Sequence, residues 1–310
     1  MRIQFGGNLI DRTPRTFLFT DYTETLYFNK VSHVVDGYTN FDVICIGGGG
    51  GKGGTLGASG GGSDTKVHGG QGGGGGLHWV KGLLEHLPDA SAIEVGAAGA
   101  DGTDGIYVGD ATDGENGGTS QFNEGFYTCY ASGGAGGKGA QSNTIDANSY
   151  ADGGQGGKGE NFDPNGAAGG IAPIVEDVPG PPGQIILAVD GKDGTLKVSS
   201  DPFSTALVGE GGGGGAGGIA QYASGDIPSV MIAAASRGGR GSYDPANTLV
   251  YGPLGFPLAD PPDFPDFPII SGLASGARVT PLLNTPFVYG RSGQPGIVIV
   301  RITAAEYGLY

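Results

Sequence analysis

The chain has 310 residues, of which 68 are glycine and 19 proline. This composition argues against a helical protein, because each interior glycine costs a helix about 1 kcal/mol relative to alanine, and it leaves little apolar material for a large conventional core. The net charge of −15 argues against nucleic acid as a direct partner, since phosphate binding needs clustered Lys and Arg, and against docking on anionic lipid.

Residues 1–40 alternate apolar and polar side chains, with Phe17, Phe19 and Tyr22 in one run and Leu26, Tyr27 and Phe28 in the next. They read as short strands and as a candidate docking element. The N-terminus, MRIQFGGNLIDRTPRTF, lacks the continuous apolar run of a secretory signal. No stretch approaches the roughly 20 apolar residues that span a bilayer, so membrane insertion is not expected. Residues 41–46, FDVICI, form a strand leading into the first glycine run. Cys45 shares a face with Phe41 and Val43 and reads as a small buried hydrophobe rather than a reactive thiol. Two cysteines, Cys45 and Cys129, make no disulfide framework.

Residues 77–87, LHWVKGLLEHL, have a helical look, but Gly82 and the flanking turns favour two strands, the path continuing through AIEV at 92–95. A short helix is the alternative there. Later strands are expected at 185–189, 195–198 and 230–234, and GIVIVRI at 296–302 closes the body. The organisation read from these signals has four parts. Residues 1–40 are an N-terminal β segment, 41–242 a glycine-rich body, 243–290 an extended Pro- and aromatic-rich arm, and 291–310 a closing strand with a tail. In the arm, GFPLADPPDFPDFPI is extended because proline fixes φ and biases its predecessor away from helix. Phe256, Phe264 and Phe267 are its candidate partner contacts, with a lid over the chain's own body as the alternative.

Three runs hold five glycines each: Gly47, Gly48, Gly49, Gly50, Gly51; Gly72, Gly73, Gly74, Gly75, Gly76; and Gly211, Gly212, Gly213, Gly214, Gly215. Elsewhere the pattern is GGx, as in GGAGGKGA at 133–140, GGQGGKGE at 153–160 and GGQGGGGG at 69–76. A three-residue repeat matches the three residues per turn of the polyproline-II helix, whose backbone groups all point outward. The five-glycine runs then fit the centre of a bundle. The GGx tracts fit its rim, with Ala135, Lys138, Gln155, Lys158 and Gln71 along one edge and the Lys and Gln side chains in solvent. Flexible glycine loops are the alternative. The fold class expected is mainly β with polyglycine-II helices, in which β-sandwich-like strands frame a glycine-rich bundle and α-helix is almost absent.

Familiar chemistry is hard to find. FDVICI followed by Gly48-x-Gly50-x-x-Gly53 formally matches a dinucleotide fingerprint, but no helix-forming sequence follows to meet a pyrophosphate. Lys52, Lys138 and Lys158 are each followed by glycine, so none completes a P-loop. His33, His68, His78 and His86 are scattered and lack zinc spacing. Asp101, Asp104, Asp110 and Asp113 lie in an acidic, glycine-rich stretch that reads as solvated turns, with calcium as the alternative. No catalytic constellation, metal site or cofactor is expected.

A strand of the type FDVICIGGGGG, a β-unit such as LHWVKGLLEHLPDASAIEVGAAGADG and a final strand like GQPGIVIVRI together resemble the glycine-rich minor tail proteins of tailed bacteriophages, especially phages of mycobacteria and related actinobacteria. The resemblance covers roughly residues 41–301. It implies a virion structural protein at the tail tip, assembled in the host cytoplasm, without enzymatic activity or cofactor. It implies other tail-tip proteins as partners, a host cell-envelope component as a possible contact, and a homo-oligomer, with a trimer favoured. Two alternatives stand beside it. One is a receptor-binding adhesin whose loops, on a polyglycine scaffold, grip a surface glycan or protein. The other is a virion-associated cell-wall hydrolase.

Overall fold

The computed structural model describes residues 13–57, 69–106, 111–123, 127–140, 157, 166–169, 171, 190–198, 207–214, 241 and 293–304. It also describes the backbone of short strands at Gln4–Phe5, Asn8–Leu9, Lys66–Val67, Ile185–Leu187 and Ile232–Ala234. The chain is mainly β, and its only described α-helix has five residues.

Ten strands build two antiparallel sheets. They are β1 (Arg15–Phe19), β2 (Leu26–Asn29), β3 (Asn40–Ile46), β4 (Leu77–Leu83), β5 (Ala90–Glu94), β6 (Ser120–Phe122), β7 (Cys129–Ala131), β8 (Leu196–Val198), β9 (Leu207–Gly209) and β10 (Ile297–Thr303). The larger sheet has the order β8-β9-β4-β3-β10-β1 and the smaller β7-β6-β5-β2. Register follows side-chain parity. In the pairing of Val43 with Val300, and of Ile44 with Ile299, each strand puts matching apolar residues on the same face.

The sequence explains which strands sit where. In β2, Leu26 and Phe28 point inward while Tyr27 and Asn29 point out, and β5, β6 and β7 show the same two-residue alternation. These make a one-sided sheet. At the centre of the larger sheet, Val43–Ile46 and Ile297–Val300 are buried on both faces, as their unbroken apolar runs require. Between the sheets lies a core that includes Phe28, Phe41, Val43, Ile93, Phe122 and Val300. On the other face of the larger sheet, Ile44, Ile46, Leu77, Trp79, Ile297 and Ile299 form a second buried cluster.

Residues 77–87 resolve into a strand and a 3-10 turn, Leu84–His86, before β5 begins. Gly82 pairs with Phe41. A Cβ there would press on the rings of Phe41 and Tyr127, which meet edge-on with centroids 5.7 Å apart. The glycine thus serves ring packing rather than ending a helix. The short helix α1 (Val31–Val35) was not expected from VSHVV, whose valines favour strands. It is closed by Gly37 at φ +85°, a left-handed conformation suited to glycine.

Most strands run straight into glycine segments. Residues 47–55 continue β3, 69–76 lead into β4, 96–105 follow β5, 112–118 lead into β6, and 132–140 follow β7. Residues 47–55 show how these segments bond. The N–H groups of Gly47, Gly50 and Gly53 donate to the carbonyls of Gly76, Gly73 and Gly70 at 3.0, 2.9 and 2.8 Å. Those of Gly48, Gly51 and Gly54 donate to Gly118, Glu115 and Thr112 at 2.9, 2.9 and 2.8 Å. Gly134, Gly137 and Ala140 donate back to the carbonyls of Gly48, Gly51 and Gly54, and Gly99, Gly102 and Gly105 to those of Gly49, Lys52 and Thr55. Two neighbours therefore run antiparallel to this segment and two run parallel, and each meets it at every third residue.

Candidate functional site

The glycine segments pack backbone against backbone. A Cβ at Gly47, Gly50 or Gly53 would overlap the carbonyls of Ser132, Ala135 and Lys138; one at Gly48, Gly51 or Gly54 would overlap those of Ala97, Ala100 and Thr103. Within 47–55, two of the three residues in each repeat must therefore be glycine, and the third can carry a side chain, as Lys52 and Thr55 do; residues 96–105 keep glycine at only one position in three. Gly72, Gly75, Gly134 and Gly137 are closed in by backbone in the same way, as are Gly211, Gly213 and Gly214. Gly74 donates to Gly212. Gly215 lies outside the described residues, as do the arm residues Phe256, Phe264 and Phe267.

The third position carries a feature that the sequence reading missed. Asp101 Oδ1 accepts the N–H of Lys52 at 3.2 Å, and Asp104 Oδ1 accepts that of Thr55 at 2.8 Å. On another segment, Asp113 Oδ1 accepts the N–H of Gly139 at 2.8 Å, and Asn116 Oδ1 that of Gly136 at 3.0 Å. Each pair is spaced by three residues, so each carboxylate or amide replaces one rung of backbone hydrogen bonding where a main-chain carbonyl is not supplied. Asp104 and Asp113 are exposed, as solvated residues would be, and Asp101 is half-buried, but all three carboxylates are tied to backbone of a neighbouring segment rather than to local turns; Asp110 lies outside the described residues. Burial alone would raise the Asp113 carboxyl, but the Lys138 hydrogen bond at 2.7 Å, the Gly139 N–H and the Lys138 charge together hold it below the ordinary carboxylate value. The repeat was visible in DGTDG and DGENG but was read only as glycine-rich turn.

The solvent-facing rim is corrected in part. Lys138 is exposed and pairs with Asp113. Gln71, by contrast, is only 2% exposed. Its segment is bonded on one side to 47–53 and on another to 132–138, as when Gly70, Gly73 and Gly76 donate to Lys138, Ala135 and Ser132. Gln155 and Lys158 lie outside the described residues.

At the junction between sandwich and glycine segments, Ser120 Oγ accepts the N–H of Gly96 at 2.9 Å and donates to the carbonyl of Ile46 at 2.6 Å. The cysteines lie close by. Cys45 Sγ donates to the Cys129 carbonyl at 3.3 Å and Cys129 Sγ to that of His78 at 3.1 Å. Both thiols are buried and free, and burial pushes the Cys45 thiol well up, away from the reactive thiolate. His78 Nδ1 accepts the Tyr130 N–H at 3.0 Å, while His86 stacks on Tyr127. The described histidines are thus packed in separate places; His68 lies outside the described residues. Among the described residues no group of three or more His, Cys, Asp or Glu is placed to hold a metal ion, and no helix is long and apolar enough to cross a membrane.

A second feature lies at the opposite flank from β8. Strand β1 ends the larger sheet and β2 ends the smaller one. Phe17 of β1 and Phe28 of β2 meet edge-on with centroids 5.5 Å apart, so the two open edges lie one over the other. Exposed large apolar side chains concentrate here: Leu18, Tyr22, Tyr27, Val31, Val34 and Val35.

No protein-family model and no curated protein sequence matches the chain.

Proposed function

We propose that the glycine segments are polyglycine-II helices packed as a bundle that the sandwich frames, and that the chain is a non-enzymatic structural component of a phage tail tip. The observation that carries this reading is the bonding of residues 47–55 to four neighbouring segments at every third residue, with Gly49 donating to a fifth at Gln294. A β-strand bonds to two neighbours in one plane with a two-residue repeat. A three-fold helix directs its groups to all sides and meets each neighbour every third residue. Gly37 is the only described glycine with positive φ, which suits helices of a single, left hand.

Such a bundle spends its residues on architecture. Side chains project from one position in three of the GGx tracts and from two in three of residues 96–105 and 112–117, and those of Asp101, Asp104, Asp113 and Asn116 serve the lattice itself. That suits a rigid spacer or mount better than a cleft built for a reaction. The glycine runs between strands are also what the resemblance to phage tail-tip proteins rests on. In this reading the partners are neighbouring tail-tip proteins and further copies of the chain, and the tip brings it against the host envelope. The test is to raise antibodies against the purified chain and label virions of the phage that encodes it. Gold at the tail tip supports the proposal. Virions free of the chain, or a purified chain that releases soluble fragments from cell wall, would contradict it.

A further inference from the structure

The edge strand β1 and its flanks read Arg15-Thr16-Phe17-Leu18-Phe19-Thr20-Asp21. The five central residues are the same read in either direction, and the two ends carry opposite charges. This segment is the outermost strand of the larger sheet, bonded to β10 on one side and to no other described strand. Natural edges are usually guarded by proline, lysine or a bulge; residues 15–21 contain neither proline nor lysine, and Leu18 at their centre is 51% exposed.

We propose that β1 pairs antiparallel with β1 of a second copy of this chain, about a two-fold axis through Leu18. In that register Leu18 faces Leu18, Phe17 faces Phe19, Thr16 faces Thr20, and Arg15 of each copy faces Asp21 of the other. The Asp21 carboxylate is exposed and held by the N–H and hydroxyl of Thr23 at 2.9 and 2.6 Å. Arg15, also exposed, keeps its contact with Asp36 at 3.2 Å and still has donors for a second carboxylate. Any shift of register destroys the apolar and charge match together, so the palindrome specifies the register as well as the partner. The pairing joins two six-stranded sheets into one continuous sheet and covers Leu18. The contact is isologous, so it makes a dimer. This departs from the three-fold assembly expected from the resemblance, and it stands independently of the tail-tip reading.

The test uses the full chain with single cysteines and charge swaps. Across the dyad, residues 18 of the two copies lie about 4.5–5.5 Å apart at Cα, within disulfide reach. Residues 16 lie about 13 Å apart along the strand, out of reach. Leu18→Cys should therefore give a covalent dimer under mild oxidation. Thr16→Cys alone should not, but should cross-link when mixed with Thr20→Cys; the native thiols are buried. In sedimentation, Arg15→Asp and Asp21→Arg should each dimerise about tenfold or more weakly, and the two mixed should recover a heterodimer. Thermal unfolding of each variant checks that it is folded. A wild-type chain monomeric at all concentrations would overturn the proposal. So would equal cross-linking of Leu18→Cys and Thr16→Cys, or charge variants that do not recover on mixing.

Discussion

At the scale of single residues, the chain turns on where a Cβ is permitted. Gly50 has none to spare: a methyl group there would overlap the Ala135 carbonyl, and the backbone cannot withdraw without breaking bonds to Gly73. Gly50→Ala is expected to cost about 3 kcal/mol or more, read as a fall in the urea midpoint. Lys52→Ala, two residues on at a position that already carries a side chain, should cost less than about 1 kcal/mol, because its ion pair with Asp101 is partly exposed. The acidic ladder makes a second prediction. Asp104→Ala leaves the Thr55 N–H without its acceptor and should cost about 1 kcal/mol, whereas Asp104→Asn keeps an oxygen there and should cost much less. The GGx repeat made the permitted positions legible in advance. The fate of each side chain was not legible, because a third position faces solvent or a neighbour according to which segments pack beside it. Lys138 and Gln71 occupy equivalent places in GGx tracts, yet only Lys138 is exposed.

At the scale of elements, the long apolar runs and several short alternating strands, such as Arg15–Phe19, Leu26–Asn29 and Leu196–Val198, were readable, and the shortest strands beside glycine segments were not. FDVICI and GIVIVRI announce β3 and β10. Strands β6 and β7 have three residues each, too few for periodicity to register, and are fixed by their antiparallel partners instead. The helix α1 forms against the local preference of its valines and sits over a cluster of rings. His33 stacks on Phe28 at 5.5 Å and 15°, with Phe17 at 5.2 Å and Tyr38 at 6.4 Å. Its Nδ1 is buried without a hydrogen-bond partner. Burial first, then the Arg15 charge, lower its pKa against a smaller opposing pull from Asp36. The folded chain therefore holds His33 neutral while the unfolded chain takes up its proton near pH 6.5. The stability this contributes is fully present above about pH 6.5 and is lost as pH falls from there to the lower folded value. Chemical-denaturant midpoints at neutral and mildly acid pH should show this loss, and His33→Phe should reduce it by removing the titrating group while keeping a ring in the stack.

At the scale of the whole molecule, the glycine segments and the two sheets are expected to stand or fall together. Ordering a residue costs about 1–2 kcal/mol of backbone entropy, most for glycine, and a net hydrogen bond returns only about 0.5–1.5 kcal/mol. The glycine segments therefore need anchoring by the apolar core, where burial of a large side chain is worth about 1.5–3 kcal/mol. Phe122 is fully buried between the sheets and lies four residues beyond Gly118. Phe122→Ala should cost about 3–5 kcal/mol, and amide exchange should quicken at Gly50 and Val43 alike. Exchange that quickened in only one of the two would mean separate folding units. The central claim, that the glycine segments are three-fold helices, is tested most directly by the backbone of residues 47–54 in a high-resolution crystal structure. The account predicts φ near −75° and ψ near +145° throughout, with Gly47, Gly50 and Gly53 donating to one neighbour and Gly48, Gly51 and Gly54 to another. Irregular loops there, or flat strands bonded at every second residue to two neighbours, would contradict it.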